Sequence, residues 1–244
     1  MKKQFLYSLL LLIFLWSCEK DHLGDCFKST GKMSAELRTI PAFSHIELQD
    51  RIQLNYRYNP SYSIRIEGGE NLLKGVKTDV RNGTLEIKDN NRCDWSRSFK
   101  HELTVTVFAP EFHSLTYRGS GEINFIDTLK TSTFKVDFWN ASGNLNLKVK
   151  ANRLELKSHT APGVINAQGD CEEIYIYLGG NGQIDASQIK AQIGTAINKN
   201  TGKIIVNCQN HLKAEILGSG DIEYWGSPTL ELNHQGSGKL IQRR

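Results

Sequence analysis

A glycine that recurs about every twenty residues is the feature of this sequence that most constrains its fold. Stretches such as RGSGEINF, LGSGDIEYW and QGSGKLIQ place small residues before this glycine and alternate polar with apolar residues after it. Successive key glycines are separated by 22, 20, 19, 20, 18 and 18 residues. Such even spacing is typical of a structure built from stacked repeats. The key glycines are Gly121, Gly143, Gly163, Gly182, Gly202, Gly220 and Gly238.

Each repeat contains two segments that alternate with the period of a β-strand. After Gly121 the apolar residues are Ile123 and Phe125, and the second segment reads TFKVDFW. One unit buries about four apolar side chains, worth roughly 1.5 to 3 kcal/mol each, whereas ordering its backbone costs about 1 to 2 kcal/mol per residue. The units must therefore stack on one another. We predict an all-β fold, a parallel β-solenoid with coils about 4.8 Å apart.

Small residues around each key glycine predict a tight corner, because glycine accepts the positive φ that such a corner demands. A polar residue also recurs three positions after the glycine, and these residues are expected to form a ladder outside one face. We interpret the ladder as structural. Its members are Asn124, Asn146, Asn166 and Asp185.

Residues 33–115 alternate like strands but lack the glycine corners. Asn82-Gly83 predicts a tight hairpin turn there, and NLLKGVKTDV suits a short helix. This strand-rich N-terminal part either begins the solenoid or caps its open end. The predicted division is a lipoprotein signal peptide at 1–17, a flexible tether at 18–32, the N-terminal β part at 33–115 and the repeated coils at 116–244.

The chain begins with MKKQFLYSLLLLIFLWSC, in which two lysines precede an apolar run. The run is shorter than the roughly 20 residues that cross a bilayer, so it predicts a secretion signal. LWSC resembles a bacterial lipobox, although Trp16 is bulkier than usual, and this resemblance implies a lipid on Cys18. Glu19 to Asp21 resembles the signal that exports Bacteroidota lipoproteins to the cell surface. We therefore predict an outer membrane lipoprotein that faces either the cell surface or the periplasm; a signal peptide followed by an unrelated cysteine is the alternative.

The distribution of charge argues against a nucleic-acid partner. Loss of residues 1–17 removes two lysines and no acids, which lowers the formal net charge from +4 to +2. The remaining basic residues are mixed with acids, whereas a nucleic-acid binder gathers them into a stripe. We predict no nucleic-acid binding.

The cysteines beyond Cys18 show no CxxC and no histidine at metal-binding spacing, so we predict no metal and no cofactor. Cys171 and Cys208 lie about two coils apart, near 10 Å, which exceeds the Cα separation of about 7 Å that a disulfide tolerates. We expect these two to be unpaired. Cys26 and Cys93 remain a possible pair.

Enzyme signatures are missing from the sequence: it contains no G-x-S-x-G, no H-E-x-x-H and no phosphate-binding G-x-x-x-x-G-K-[ST]. A polysaccharide-cleaving solenoid would place carboxylates and a base on neighbouring coils. Asp137, Glu155 and Lys157, with Glu173 nearby, are the residues that fit such a group. Alternating charges on exposed strands more often favour solubility and cross-strand pairing, so we predict that the protein is not an enzyme.

Three segments carry a resemblance to a known family: FSHIELQDRIQLNY, YSIRIEGGENLLKGVKTDVRNGTLEI and LTVTVFAPEFHSLTYRGSGEI. From about Arg38 to Ile241 the chain resembles the head GIN domain family of putative auto-transporter adhesins, which is common among Bacteroidota lipoproteins. The most specific elements are the NGTL turn, the Val-x-x-Pro at Val107 to Pro110 and the repeated Gly-Ser-Gly. The resemblance implies an exported, β-helix-like domain with an adhesive role and no established catalytic residues.

Aromatic residues supply the candidate ligand-binding surface. Alternation predicts that some point away from the core on nearby coils, where they could stack on sugar rings or anchor a protein; packing over the corners is the alternative for the tryptophans. We predict a non-enzymatic adhesion protein that binds a glycan or a surface protein and forms a possible homo-oligomer. A polysaccharide-active enzyme and a self-associating envelope protein are the alternatives. The candidate residues are Trp139, Tyr175, Tyr177, Tyr224 and Trp225.

Overall fold

A computed structural model describes residues 29–91 and 103–244. The signal peptide, most of the tether, Cys18, Cys26 and Cys93 lie outside these residues. The first strands are β1 (Met33–Thr39), β2 (His45–Asp50), β3 (Ile52–Tyr58), β4 (Ser63–Gly69), β5 (Val76–Arg81), β6 (Thr84–Asp89), β7 (Leu103–Ala109), β8 (Ser114–Gly119) and β9 (Ile123–Phe125), with helix α1 (Glu70–Leu73) after β4. The later strands are β10 (Leu129–Lys130), β11 (Thr133–Phe138), β12 (Leu145–Ser158), β13 (Val164–Leu178), β14 (Gln183–Asn198), β15 (Lys203–Ile216), β16 (Ile222–Trp225), β17 (Thr229–His234) and β18 (Leu240–Gln242).

These strands wind into a parallel β-solenoid of about six turns, which confirms the predicted fold class. In the long strands β12 to β15, the first half pairs with one set of neighbours and the second half with another. Leu145 lies beside Ile165, and Leu154 beside Ile174, so the pairing follows the repeat of the sequence. We call the first set sheet I (β9, the first halves of β12–β15, β16 and β18) and the second set sheet II (β8, β11, the second halves of β12–β15, and β17).

The N-terminal part begins the solenoid and also closes its first end. β2 pairs in parallel with β8, and β3 pairs in parallel with β9, so strands on both sides of residue 115 share the same sheets. β4 runs antiparallel to both β1 and β7. The hairpin of β5 and β6 turns at Asn82 and Gly83, whose φ angles are 50° and 73°, as the Asn-Gly pair predicts.

The inward side chains form one continuous apolar core between the two sheets. Cys171 and Cys208 lie in this core and are unpaired, as predicted, because Ala191 stands between them in the strand register. Burial raises the pKa of the Cys171 thiol to about 12, so it stays protonated at neutral pH.

The key glycines are required for a reason other than the predicted one. The described glycines with positive φ are Gly31, Gly83, Gly169 and Gly226, so the expectation of positive φ at the corners is wrong. The corners instead stack in direct backbone contact. A Cβ atom on Gly143 would overlap the carbonyl oxygen of Gly121 at well under 3.0 Å, and each later key glycine meets its predecessor in the same way. This column of glycines lets the coils approach to the spacing that strand pairing demands.

Gly143→Ala should therefore lower the free energy of unfolding by about 1 to 3 kcal/mol or more, because the added methyl group forces adjacent coils apart. Urea denaturation followed by circular dichroism measures the change. The neighbouring Ser142→Ala, on an exposed side chain, is the matched control and should leave the midpoint unchanged. Equal midpoints for both variants would contradict a role for the glycine column.

Candidate binding surface

Ion pairs within and between strands cover much of the outer face of sheet II. On β11, Lys135 Nζ lies 2.7 Å from Asp137 Oδ2. On β12, Glu155 accepts hydrogen bonds from Arg153 at 2.9 Å and from Lys157 at 2.5 Å. Arg153 also reaches across to Glu173 of β13, at 2.5 Å. The charges of this face are thus largely neutralised within the sheet.

These contacts show the surroundings of the carboxylates that were considered for catalysis. Burial alone would raise the pKa of Glu155, but hydrogen bonds from Lys157 and Arg153 outweigh it and hold that pKa below its ordinary value. A general acid needs the opposite shift, toward the working pH. Asp137 is also engaged, by Lys135 and by His159 Nε2 at 3.1 Å. This group has the geometry of a stabilising ion-pair network.

An uncharged band interrupts the ion pairs in the middle of sheet II. The second half of β14 presents only uncharged side chains outward on sheet II. Tyr175 and Tyr177 of β13 lie beside Thr195 and Ile197, whereas Ile193 lies between Glu173 and His211 of the neighbouring strands. Ile193 is 50% exposed and lies in line with Thr195 and Ile197 on the outer side of the same strand. The strands beyond the band are charged again, with Lys213 between Glu215 and Glu231. We define the uncharged band as Tyr175, Tyr177, Ile193, Thr195 and Ile197.

A stack of rings and cations runs along the solenoid where sheet II meets the glycine corner. The indole of Trp139 and the imidazole of His159 are parallel, with centroids 3.7 Å apart and planes 8° apart. Arg118 lies over the other side of Trp139 at 5.5 Å. Tyr177 continues from His159 at 5.5 Å, and Lys199 lies over Tyr177 at the same distance. We call these five residues the corner stack.

Gly179 makes the step from His159 to Tyr177 possible. Backbone hydrogen bonds place Gly179 in the coil position that follows His159, so a side chain there would have continued the column. A Cβ atom on Gly179 would instead lie 3.1 Å from the ring and the hydroxyl of Tyr177, so that ring occupies the space of the missing side chain. Tyr177 therefore belongs both to the corner stack and to the uncharged band.

The five aromatic residues that were predicted to bind a ligand do not form one surface in the structure. Tyr175 and Tyr177 lie together on sheet II, as the alternation predicted. Trp139 is half-buried with Arg118 on one ring face and His159 on the other, which favours the packing alternative for this residue. Tyr224 is 7% exposed and packs in the core, so it offers no surface to a ligand. Trp225 is 37% exposed but lies at the bend between β16 and β17, away from the glycine corners.

The outer face of sheet I carries the predicted polar ladder. Asn146 Nδ2 donates to Asn124 Oδ1 at 2.9 Å, and Asn166 Nδ2 donates to Asn146 Oδ1 at 3.1 Å. Asp185 follows Asn166 in register, and Asn55 precedes Asn124, a member that the glycine pattern does not reveal. A shallow depression of about 190 Å³ lies beside the ladder. The asparagine side chains of the ladder hydrogen-bond to one another from coil to coil, which supports the structural interpretation of the ladder.

Sequence reasoning missed His159 and the aliphatic part of the uncharged band. His159 follows Trp139 by twenty residues, one repeat, so the spacing of the glycines could have placed the two rings together. Ile193 and Ile197 were missed because two of the three residues between them, Gly194 and Ala196, are also small and uncharged. Alternation cannot distinguish the two faces of such a strand, whereas the repeat assigns Gly194 to the column of Ile174.

The architecture first defines a class: a β-solenoid that exposes flat sheet faces and holds, within 29–91 and 103–244, no group of three or more metal-ligating side chains. A family model described as "Putative auto-transporter adhesin, head GIN domain" matches residues 42–228, and the chain belongs to this family. The family description names adhesins and not enzymes, and it indicates an extracellular or surface-exposed protein. The curated proteins include no match.

Solved structures of similar proteins share the fold. A putative adhesin from Bacteroides fragilis has a TM-score of 0.80 at 21% identity, covering 87% of this chain and 97% of its own. A putative lipid binding protein from Parabacteroides distasonis has a TM-score of 0.68 at 22% identity, covering 88% and 98%. A putative adhesin from Parabacteroides merdae has a TM-score of 0.65 at 21% identity, with the same coverage. In the described part of this chain, no helix is long and apolar enough to cross a membrane.

Trp139→Ala should destabilise the fold by about 1 to 2 kcal/mol, because it removes ring contacts on both sides of the indole. Thermal unfolding measures the effect. Trp225→Ala is the matched control, since Trp225 has no ring or cation contact among the described residues, and it should cost less. Equal losses in the two variants would argue against the corner stack as a stabilising element.

Proposed function

We propose that this protein is an exported, lipid-anchored binding protein of the bacterial envelope, held in the outer membrane by Cys18 and acting without catalysis. The N-terminal pattern supports export and anchoring, since a short apolar run ends at a cysteine in a lipobox-like context. Membership of an adhesin family supports a surface role. The protein contacts its ligand through the uncharged band of sheet II.

The main support for a ligand-binding role is that a row of uncharged side chains interrupts the ion pairs of sheet II. Charged rows favour water, whereas Ile193 at 50% exposure keeps apolar surface in contact with water until a ligand covers it. The ring edges and hydroxyl groups of Tyr175 and Tyr177 add contacts that suit sugars and their hydroxyl groups, while Lys157 lies over the Tyr175 ring at 5.2 Å and Lys199 over the Tyr177 ring at 5.5 Å. Thr195 adds a further hydroxyl beside Tyr175. We therefore propose a glycan as the ligand class.

The length of the uncharged band also favours an extended polymer over a small molecule as the ligand. Ile193 and Ile197 are four residues apart on one strand, which corresponds to about 13 Å along the sheet. The band lies on the outer face of a sheet, whereas small-molecule sites are concave pockets. Glu155, beside Tyr175, and Asp137, one strand further from the band, are held by cations, which supports binding without bond cleavage.

Ile193→Glu should weaken glycan binding by about tenfold or more, because it places an unpaired charge within the contact surface. The full chain, purified in detergent, is screened on arrays of glycans and matrix proteins, and the strongest ligand is then titrated. Leu37→Glu is the matched control, since Leu37 is 70% exposed on β1 and remote from the band. Circular dichroism confirms that both variants are folded.

Unchanged affinity of Ile193→Glu would overturn the assignment of the uncharged band. Release of reducing ends from any bound polysaccharide would favour the enzyme alternative. A ligand among matrix proteins, with no glycan bound, would replace the glycan as the ligand class.

Cys18→Ala tests the anchor separately. The variant should lose its lipid and appear in the soluble fraction, because acyl chains hold a protein on a membrane through about 0.8 kcal/mol per buried methylene. Membrane fractionation and intact-mass analysis of the full chain, expressed with its own signal, measure this change. A membrane-bound Cys18→Ala variant of unchanged processed mass would contradict the lipid anchor.

A further inference from the structure

The two ends of the solenoid differ in chemistry. At the first end, Glu36 and Arg38 occupy the inward side of β1, beside the buried Ile66 and Ile64 of β4. Arg38 reaches across the end of the core toward β5 and donates to Leu73 O at 3.0 Å and to Val76 O at 2.6 Å. A hydrogen-bonded charged pair thus covers this end of the core.

The last coil exposes residues that belong to the core. Leu230 and Leu232 of β17 lie in register with Leu212 and Ala214, which are fully buried. Leu230 is nevertheless 42% exposed and Leu232 is 48% exposed, and all six residues of β17 are exposed. These two leucines continue the inward columns, and among the described residues no coil lies above them. The second end of the described solenoid is therefore apolar and open.

The strands at this end also have unpaired edges. Among the described residues, β17 pairs with β15 and β18 pairs with β16, and neither has a partner on its outer edge. Unpaired edges of this kind readily add another strand. Because β18 begins a new coil beyond β17, the end has the form of a step, higher on sheet I than on sheet II.

We propose that a second copy of this chain covers this end, in a two-fold dimer joined tail to tail. A two-fold axis parallel to the strands brings sheet I of one copy over sheet II of the other. The step of each copy then fits the step of the other, so β18 of each pairs antiparallel with β17 of its neighbour. The leucines of both copies meet in one closed core, and such an interface is isologous and self-limiting.

Charge complementarity favours this arrangement over direct pairing of the two β17 strands. Glu231 lies at the centre of β17 with its side chain 59% exposed. Pairing β17 with itself would place two copies of Glu231 close together, which is unfavourable. The segment around β18 is basic, with Lys239, Arg243 and Arg244, and Arg243 is already paired with Glu223 of its own chain at 2.7 Å. Pairing β17 with β18 of the second copy therefore brings Lys239 toward Glu231 instead of a second Glu231.

Stacking of one copy's open end on the first end of another is disfavoured. Such a contact would bury Glu36 and Arg38 against leucines and remove both ions from water, a cost that their mutual attraction does not reliably repay. It would also repeat indefinitely and form filaments. The proposal therefore predicts a dimer, and it does not depend on the proposed glycan-binding function.

Sedimentation velocity of the full chain, in a density-matched detergent, tests the proposal across a concentration series. The natural protein should form dimers. Leu232→Glu should raise the dimer dissociation constant by about tenfold or more, because it buries a charge in the apolar interface. Leu37→Glu, the same change at an exposed leucine of the first end, is the matched control and should leave the dimer intact. Thermal unfolding of each variant separates loss of assembly from loss of the fold.

A monomer at all concentrations would overturn the proposal, as would a dimer that Leu232→Glu does not weaken. Longer oligomers that Leu37→Glu also shortens would indicate head-to-tail stacking instead. Glu231→Lys provides a second arm: it should weaken the β17–β18 pairing, whereas a dimer strengthened by this change would favour direct pairing of the β17 strands.

Discussion

Close contact between the backbones of successive corners is the constraint on which this structure depends. Parallel strands pair at about 4.8 Å, and every corner must follow the same spacing if both sheets are to stay in register. The carbonyl oxygen of one key glycine occupies the space where a side chain of the next would stand. Glycine is required there by contact between coils rather than by an unusual backbone angle. The long pairing of β12 to β15 relies on this column.

Regular stacking also determines what the surface can offer. Each outward position becomes a row of side chains that runs along the solenoid, so a row of like residues has a collective property. Asn124, Asn146 and Asn166 form a hydrogen-bonded ladder, and alternating charges form ion pairs on sheet II. A departure from these rows is informative because stability does not demand it. The uncharged band and the exposed leucines of β17 are two such departures, and the proposals rest on them.

Much of the fold could be predicted because the spacing of the glycines reports which residues become neighbours. The spacing predicted parallel coils, the polar ladder and the separation of Cys171 from Cys208. Among the surface predictions, the ones that failed used only local alternation and not the spacing. Tyr224 stands four positions after its key glycine, as the buried Phe125 does, so the repeat assigns it to the core although its chemistry suits a surface. Stacking of Trp139 on His159 depends on side-chain rotamers, which spacing alone does not determine.

The glycine column has a consequence for how such a chain can change over time. Because every corner meets the next in the same way, the addition or loss of one whole repeat leaves all remaining contacts equivalent, whereas the loss of half a repeat would exchange the two sheets. Proteins of this architecture can therefore grow or shorten in steps of about twenty residues while their ends are preserved. The length of the solenoid is adjustable by gene duplication, independently of the residues displayed on each face.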